Sequence, residues 1–265
     1  MSRIKTFLAN EKRLLTAIAV LVVLLNIPYG RYALYPFMLF STWVHEMCHG
    51  VAALLIGGGV DKLEVYPDGS GLCFTRYGAG AFTRAWVASA GYMGTSVIGA
   101  LTLVFRRRPL AGRIGVTAFG VLMLVSTVLF VRNLFGLVMV PLIGAALAAA
   151  GVKLKEELSG WLFSFVAATC CLNAVTSIQV LFGSNLVVNG APSGGSDAHS
   201  VADALLLPYW FWASLWLVTS VALMLVALRF TLPGKSVAAA LGAGAGGAAG
   251  AAPAKAKASA GAGAA

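Results

Sequence analysis

Seven stretches of this chain stay apolar for the 17 to 25 residues that a bilayer crossing needs: 14–30, 33–57, 82–105, 113–131, 134–151, 158–183 and 209–230. In hydrocarbon a backbone must satisfy its own hydrogen bonds, so runs of this kind specify helices packed against one another. With 59% hydrophobic and 11% charged residues, a water-soluble domain, in which roughly a quarter of residues are charged, is excluded. The expected fold is therefore an all-α polytopic membrane bundle of six to seven transmembrane helices, embedded in a lipid bilayer.

One segment breaks the helical pattern. Val60 to Tyr66 and Leu72 to Tyr77 flank Pro67-Asp68-Gly69-Ser70-Gly71, and Asp-Gly between β-prone runs signals a hairpin over 60–77. Leu63 and Val65 alternate with Lys62 and Glu64, as in strands with one wet face. Three regions follow: an anchor helix in 1–32, an embedded core in 33–232 carrying the hairpin, and a tail in 233–265 of Ala, Gly and scattered Lys, expected to be disordered for want of side chains to pack.

The net charge of +10 would suggest nucleic acid in a soluble protein, but the basic residues sit at the ends of apolar runs, at Arg3, Lys5, Lys12, Arg13, Arg106 to Arg108, Arg113, Lys153 and Lys155. Such placement marks topology and headgroup contacts, and no nucleic-acid partner is expected. Lys and Arg divide too evenly between the two sides to fix an orientation. Four cysteines with no CxxC pair exclude a disulfide scaffold.

The chemistry concentrates in His45-Glu46-Met47-Cys48-His49, which holds two of the three histidines. Residues four apart share a helix face, so both imidazoles can converge on one Zn²⁺ while Glu46 lies beside them to take a proton from water. Chance would supply this string in roughly 4 of 10,000 shuffles of the composition, so coincidence is a poor account of it. An ionisable triplet at bilayer depth costs about 2.5 kcal/mol or more per charge, and such groups line wet cavities or pair with partners.

These residues, with Phe40 through Gly59, Tyr66 to Gly71, Ala90-Gly91-Tyr92-Met93-Gly94, Arg132-Asn133 and Ser196-Asp197-Ala198, resemble the site-2 protease family of intramembrane zinc metalloproteases, in its smaller bacterial and plant branch. The resemblance spans about residues 33–228. It implies a zinc metalloendopeptidase of a bacterial cell membrane, acting on a membrane protein or peptide substrate, with His45 and His49 as zinc ligands and Glu46 as general base. A non-catalytic metal-binding scaffold that keeps the fold is the alternative.

The larger site-2 proteases take a third ligand from a Leu-Asp-Gly motif, which this chain lacks. Asp197 is the first choice, on the Ser-Asp-Ala match, followed by Asp203 and His199; both aspartates also suit helix capping. Asn133 is a candidate for oxyanion stabilisation, or the mark of a turn between spans. Asn173, with Thr176 and Ser177, forms a polar stripe that would orient a ligand or bond between helices. Small residues at Gly50, Ala53 and Gly57, and at Ala90, Gly91, Gly94 and Ser96, predict close packing of two helices, and Gly57 to Gly59 a helix end. The free edge of the hairpin, probed at Leu63, is expected to take an extended substrate strand.

Overall fold

A computed structural model describes residues 12–106, 108, 110–176, 187–192 and 195–231. Eight helices are described: α1 (Lys12–Asn26), α2 (Gly30–Leu55), α3 (Ala81–Phe105), α4 (Ala111–Phe130), α5 (Leu134–Lys153), α6 (Glu156–Thr176), α7 (Asp197–Leu205) and α8 (Tyr209–Thr231). Two hairpins interrupt them, β1 (Gly59–Val65) with β2 (Gly71–Arg76), and β3 (Val187–Val188) with β4 (Ala191–Pro192). The expected tail over 233–265 lies outside the described residues.

Among the described residues, four helices are long and apolar enough to cross a membrane, namely α3, α4, α5 and α8. The expectation of six to seven is larger. The apolar run at 14–30 forms only a 15-residue helix, and α2, though 26 residues long, carries Arg31, His45, Glu46 and His49. The site itself dilutes the hydropathy of the helix that bears it. The outer faces of the bundle expose Leu122, Val125, Val128 and Leu129 on α4 and Leu137, Val138 and Leu142 on α5, an apolar surface that suits lipid rather than water.

Small residues set the helix contacts. A Cβ on Gly120 of α4 would lie 2.4 Å from the Ala148 nitrogen and 2.5 Å from the Gly144 oxygen of α5, so the two backbones meet directly. Polar side chains tie the other seams: Trp43 Nε1 donates to Ser126 Oγ at 2.8 Å, and Ser96 and Ser220 share a hydrogen bond at 2.6 Å between α3 and α8.

Helix α2 ends as its glycines predict. Gly57 adopts φ +77, Gly57 N–H donates to the Leu54 oxygen at 3.1 Å, and Gly58 N–H donates to the Ala53 oxygen at 2.9 Å, which together satisfy carbonyls left open at the helix end. The chain then reverses into β1. Register pairs Val65 with Gly71 and Leu63 with Cys73, with an irregularity at Asp61, and Gly69 supplies the positive φ of the turn.

Leu63 and Val65 are fully buried among Phe40, Val44, Val131 and Val140, each worth about 1.5–3 kcal/mol of burial, so β1 is built into the bundle rather than laid upon it. Its outer edge is closed as well. Arg132 N–H donates to the Leu63 oxygen at 3.2 Å in a parallel bridge, and the Asn133 amide holds both the N–H and the oxygen of Val65, at 3.2 and 2.6 Å. The expectation of a free edge at Leu63 is thereby corrected: among the described residues it is β2, not β1, that has no strand along its outer edge.

Candidate metal centre

One helical turn separates His45 from His49 on α2, and the two Nε2 atoms stand 3.1 Å apart. The third member arrives from 152 residues away. Helix α7 begins at Asp197, and its apolar face, Ala198 and Val201, packs with Ala85, Ala88 and Tyr92 of α3. That docking turns the first residue of the short helix inward, placing Asp197 Oδ2 3.1 Å from His45 Nε2 and 3.3 Å from His49 Nε2. Burial opposes ionisation of Asp197, but the two imidazoles outweigh it and hold the carboxyl far below the ordinary carboxylate range.

Helix α3 supplies the floor. The Val87 oxygen accepts a hydrogen bond from His49 Nδ1 at 2.7 Å, which fixes the ring orientation and turns Nε2 toward Asp197. A Cβ on Gly91 would lie 2.4 Å from His49 Nε2 and 2.5 Å from both Nε2 and Cε1 of His45, so only glycine admits the rings at this spacing. The next residue, Tyr92, sets its ring edge-on to His45 at 4.7 Å and stacks on Trp216 of α8 at 5.6 Å. His45 is thus held by packing and His49 by a hydrogen bond.

Glu46 turns toward the other hairpin. It is buried and lies so close to β2 that a Cβ on Gly71 would sit 2.8 Å from its Cγ and 3.1 Å from its Oε1. A cavity of about 540 Å³ joins these groups, lined by His45, Glu46, His49 and Asp197, by Cys73 on the β2 side and by Val188 on the β3 side.

The donor set fits a zinc ion. Bonds of about 2.0–2.2 Å at tetrahedral angles separate ligand atoms by about 3.3–3.5 Å, and the three separations here are 3.1, 3.1 and 3.3 Å. Among the described residues, His45, His49 and Asp197 are the one group of His, Cys, Asp or Glu compact enough to hold a metal ion.

The other candidates lie elsewhere. The Asp203 carboxylate is 69% exposed and 3.9 Å from Arg84. The His199 ring stacks on Tyr209 at 4.1 Å, with Nδ1 3.0 Å from Ser196 Oγ. Asn133 is committed to Val65, and Cys48 packs against Gly94. The Asn173 and Thr176 side chains and all of Ser177 fall outside the described residues. What sequence reasoning missed is the Val87 carbonyl and the function of Gly91 as the contact surface of both imidazoles; the small-residue run around Gly91 was the available signal.

Residues 14–227 match the sequence profile of the family described as Peptidase M50B-like. The chain belongs to this family, the site-2 proteases. No curated protein and no solved structure matches the chain. M50 peptidases are zinc-dependent, and the family and the four apolar helices together make this M50B-like chain an integral membrane protein.

Proposed function

We propose that this M50B-like protein is an intramembrane zinc metallopeptidase that hydrolyses peptide bonds of membrane-associated substrates. One observation carries the reading: two imidazoles and a carboxylate, converging from α2 and α7, present three donor atoms within 3.3 Å of one another over a glycine floor. His45, His49 and Asp197 are the proposed ligands, and α2 and α6 are proposed to cross the membrane beside the four apolar helices. A bound Zn²⁺ would supply Lewis acidity and bring the pKa of water down to about 7.

The chain's own residues supply the remainder. Glu46, held against Gly71 of β2, takes a proton from the attacking water at a carboxylate oxygen and returns it to the departing amine as the C–N bond breaks. His49 keeps its ring proton on Nδ1 through Val87, and Gly91 and Tyr92 fix the spacing of the two rings. An intact substrate helix shields its own carbonyls. The unpaired β2 edge, which borders the cavity at Gly71 and Cys73, therefore receives an unwound substrate segment by main-chain hydrogen bonding.

Family membership does not favour the scaffold alternative. The test is metal analysis of purified protein beside cleavage of a transmembrane reporter peptide: stoichiometric zinc with hydrolysis that Glu46→Gln abolishes supports the proposal. Zinc-free protein, or hydrolysis that survives Glu46→Gln, refutes it.

A further inference from the structure

Asp68 looks at first like a turn residue. Its Oδ1 accepts the Ser70 N–H at 2.9 Å and the Ser70 hydroxyl, the pattern that closes a Pro-Asp-Gly-Ser loop. Yet the Ser70 hydroxyl oxygen in turn accepts the N–H of Asn189 at 3.1 Å, next to Gly190. Those two residues are the tip of the second hairpin, with φ +52 and +74, so the tip of one hairpin grips the tip of the other across about 120 positions of sequence.

The two partners are not equally anchored. The β1–β2 tip is fastened to the metal-bearing helix, with Tyr35 Oη donating to the Pro67 oxygen and Thr42 Oγ1 to the Gly69 oxygen, both at 2.7 Å. Among the described residues the β3–β4 unit pairs two residues in each strand, and a two-stranded hairpin of this size has little stability of its own. Val187 and Val188 of that unit nevertheless form part of the cavity wall, and Asp197 follows five residues after Pro192. The β3 side of the cavity wall is thus tied to the β1–β2 tip.

We propose that the Ser70 hydroxyl, positioned by Asp68, latches the β3–β4 hairpin as a flap over the metal cavity, and that substrate enters when this latch releases. The inference rests on the cavity of the proposed peptidase, but it concerns access rather than chemistry. Its readout needs neither metal nor turnover, so its failure is distinguishable from failure of the peptidase reading.

Cys73 provides that readout. It lines the cavity beneath the flap, and burial, with Glu46 nearby, pushes its thiol up to about 12, so it reacts slowly while the cavity is closed. The experiment measures maleimide labelling of Cys73 in the full chain reconstituted in lipid nanodiscs, with the labelled site identified by peptide mass spectrometry. Ser70→Ala removes the hydroxyl that accepts the Asn189 N–H and keeps the Ser70 N–H that closes the Asp68 turn, so it should raise the Cys73 rate by about 2- to 10-fold. Asp68→Ala frees the Ser70 hydroxyl from its orienting partner, so a rise is expected there as well.

The paired variant Ser70→Cys with Asn189→Cys, oxidised to a cross-link confirmed by mass, should suppress Cys73 labelling, and reductant should restore it. Wild-type labelling rates in both Asp68→Ala and Ser70→Ala overturn the proposal. So does a cross-linked chain that labels Cys73 as fast as its reduced form.

Discussion

Replacing Gly91 by alanine tests the centre with a single methyl group. The added carbon would fall 2.4 Å from His49 Nε2 and 2.5 Å from His45 Nε2, roughly 1 Å inside ordinary carbon–nitrogen contact. Neither ring can retreat freely. His49 is held by its 2.7 Å hydrogen bond to Val87, and His45 is packed edge-on against Tyr92, itself stacked on Trp216. Helix α3 therefore shifts away from α2, or the two Nε2 atoms are pushed apart. Overpacking of this kind costs about 1–3 kcal/mol in fold stability.

The metal consequence is larger. Ligand distances in a zinc site tolerate about 0.2 Å, whereas the clash demands several times that from two ligands at once. Loss of a ligand's outer partner alone weakens metal by about 10–100-fold, so Gly91→Ala should exceed that range. The assay is zinc affinity by competition with a fluorescent chelator, beside thermal unfolding in the same detergent. Gly99→Ala on the same helix is the control: its Cβ would meet Cys171 Sγ at 3.1 Å, a contact that can relax, and zinc affinity should stay at the wild-type value. Wild-type zinc affinity in Gly91→Ala would refute the reasoning.

Glu46→Gln should retain zinc and lose about 10²–10⁴-fold in turnover, measured on a reporter peptide against metal content. Asp197→Ala should lose zinc, while Asp203→Ala and His199→Ala keep it, as read by metal analysis of the purified variants; zinc retained without Asp197 would break the proposed ligand set. Asn133→Ala leaves the N–H and the oxygen of Val65 without their partners, at about 1–3 kcal/mol for each buried group, so unfolding should shift while zinc stays. A fall in turnover without a stability change would instead place Asn133 at the chemistry. A proline at Thr75 on the open β2 edge should impair cleavage more than zinc binding, and unchanged turnover would count against strand addition there.

Much of the site was legible in local spacing. His45 and His49 share a face because a helix repeats every 3.6 residues, and the apolar run around them leaves no other conformation in lipid. The hairpin was legible from Asp68-Gly69 and the alternation of Leu63 and Val65, and the end of α2 from Gly57. The preference for Asp197 over Asp203 and His199 came from the Ser-Asp-Ala resemblance, not from local spacing. All three lie within seven positions, and only the docking of Ala198 and Val201 onto α3 decides which of them turns inward. The role expected for β1 failed for the same kind of reason, since its outer edge is closed by Arg132 and Asn133, nearly seventy residues away.

The amino-acid sequence alone determined that this chain is a helical membrane protein with a paired-imidazole turn and one β excursion, because those properties depend on hydropathy and on contacts within a few residues. Tertiary structure alone decided how Asp197 reaches the imidazoles, which strand edge stays open, why position 91 must be glycine, and that the tips of the two hairpins meet. Each of these depends on the approach of segments 40 to 150 residues apart, and such approaches are set by packing of whole faces, which no local spacing encodes.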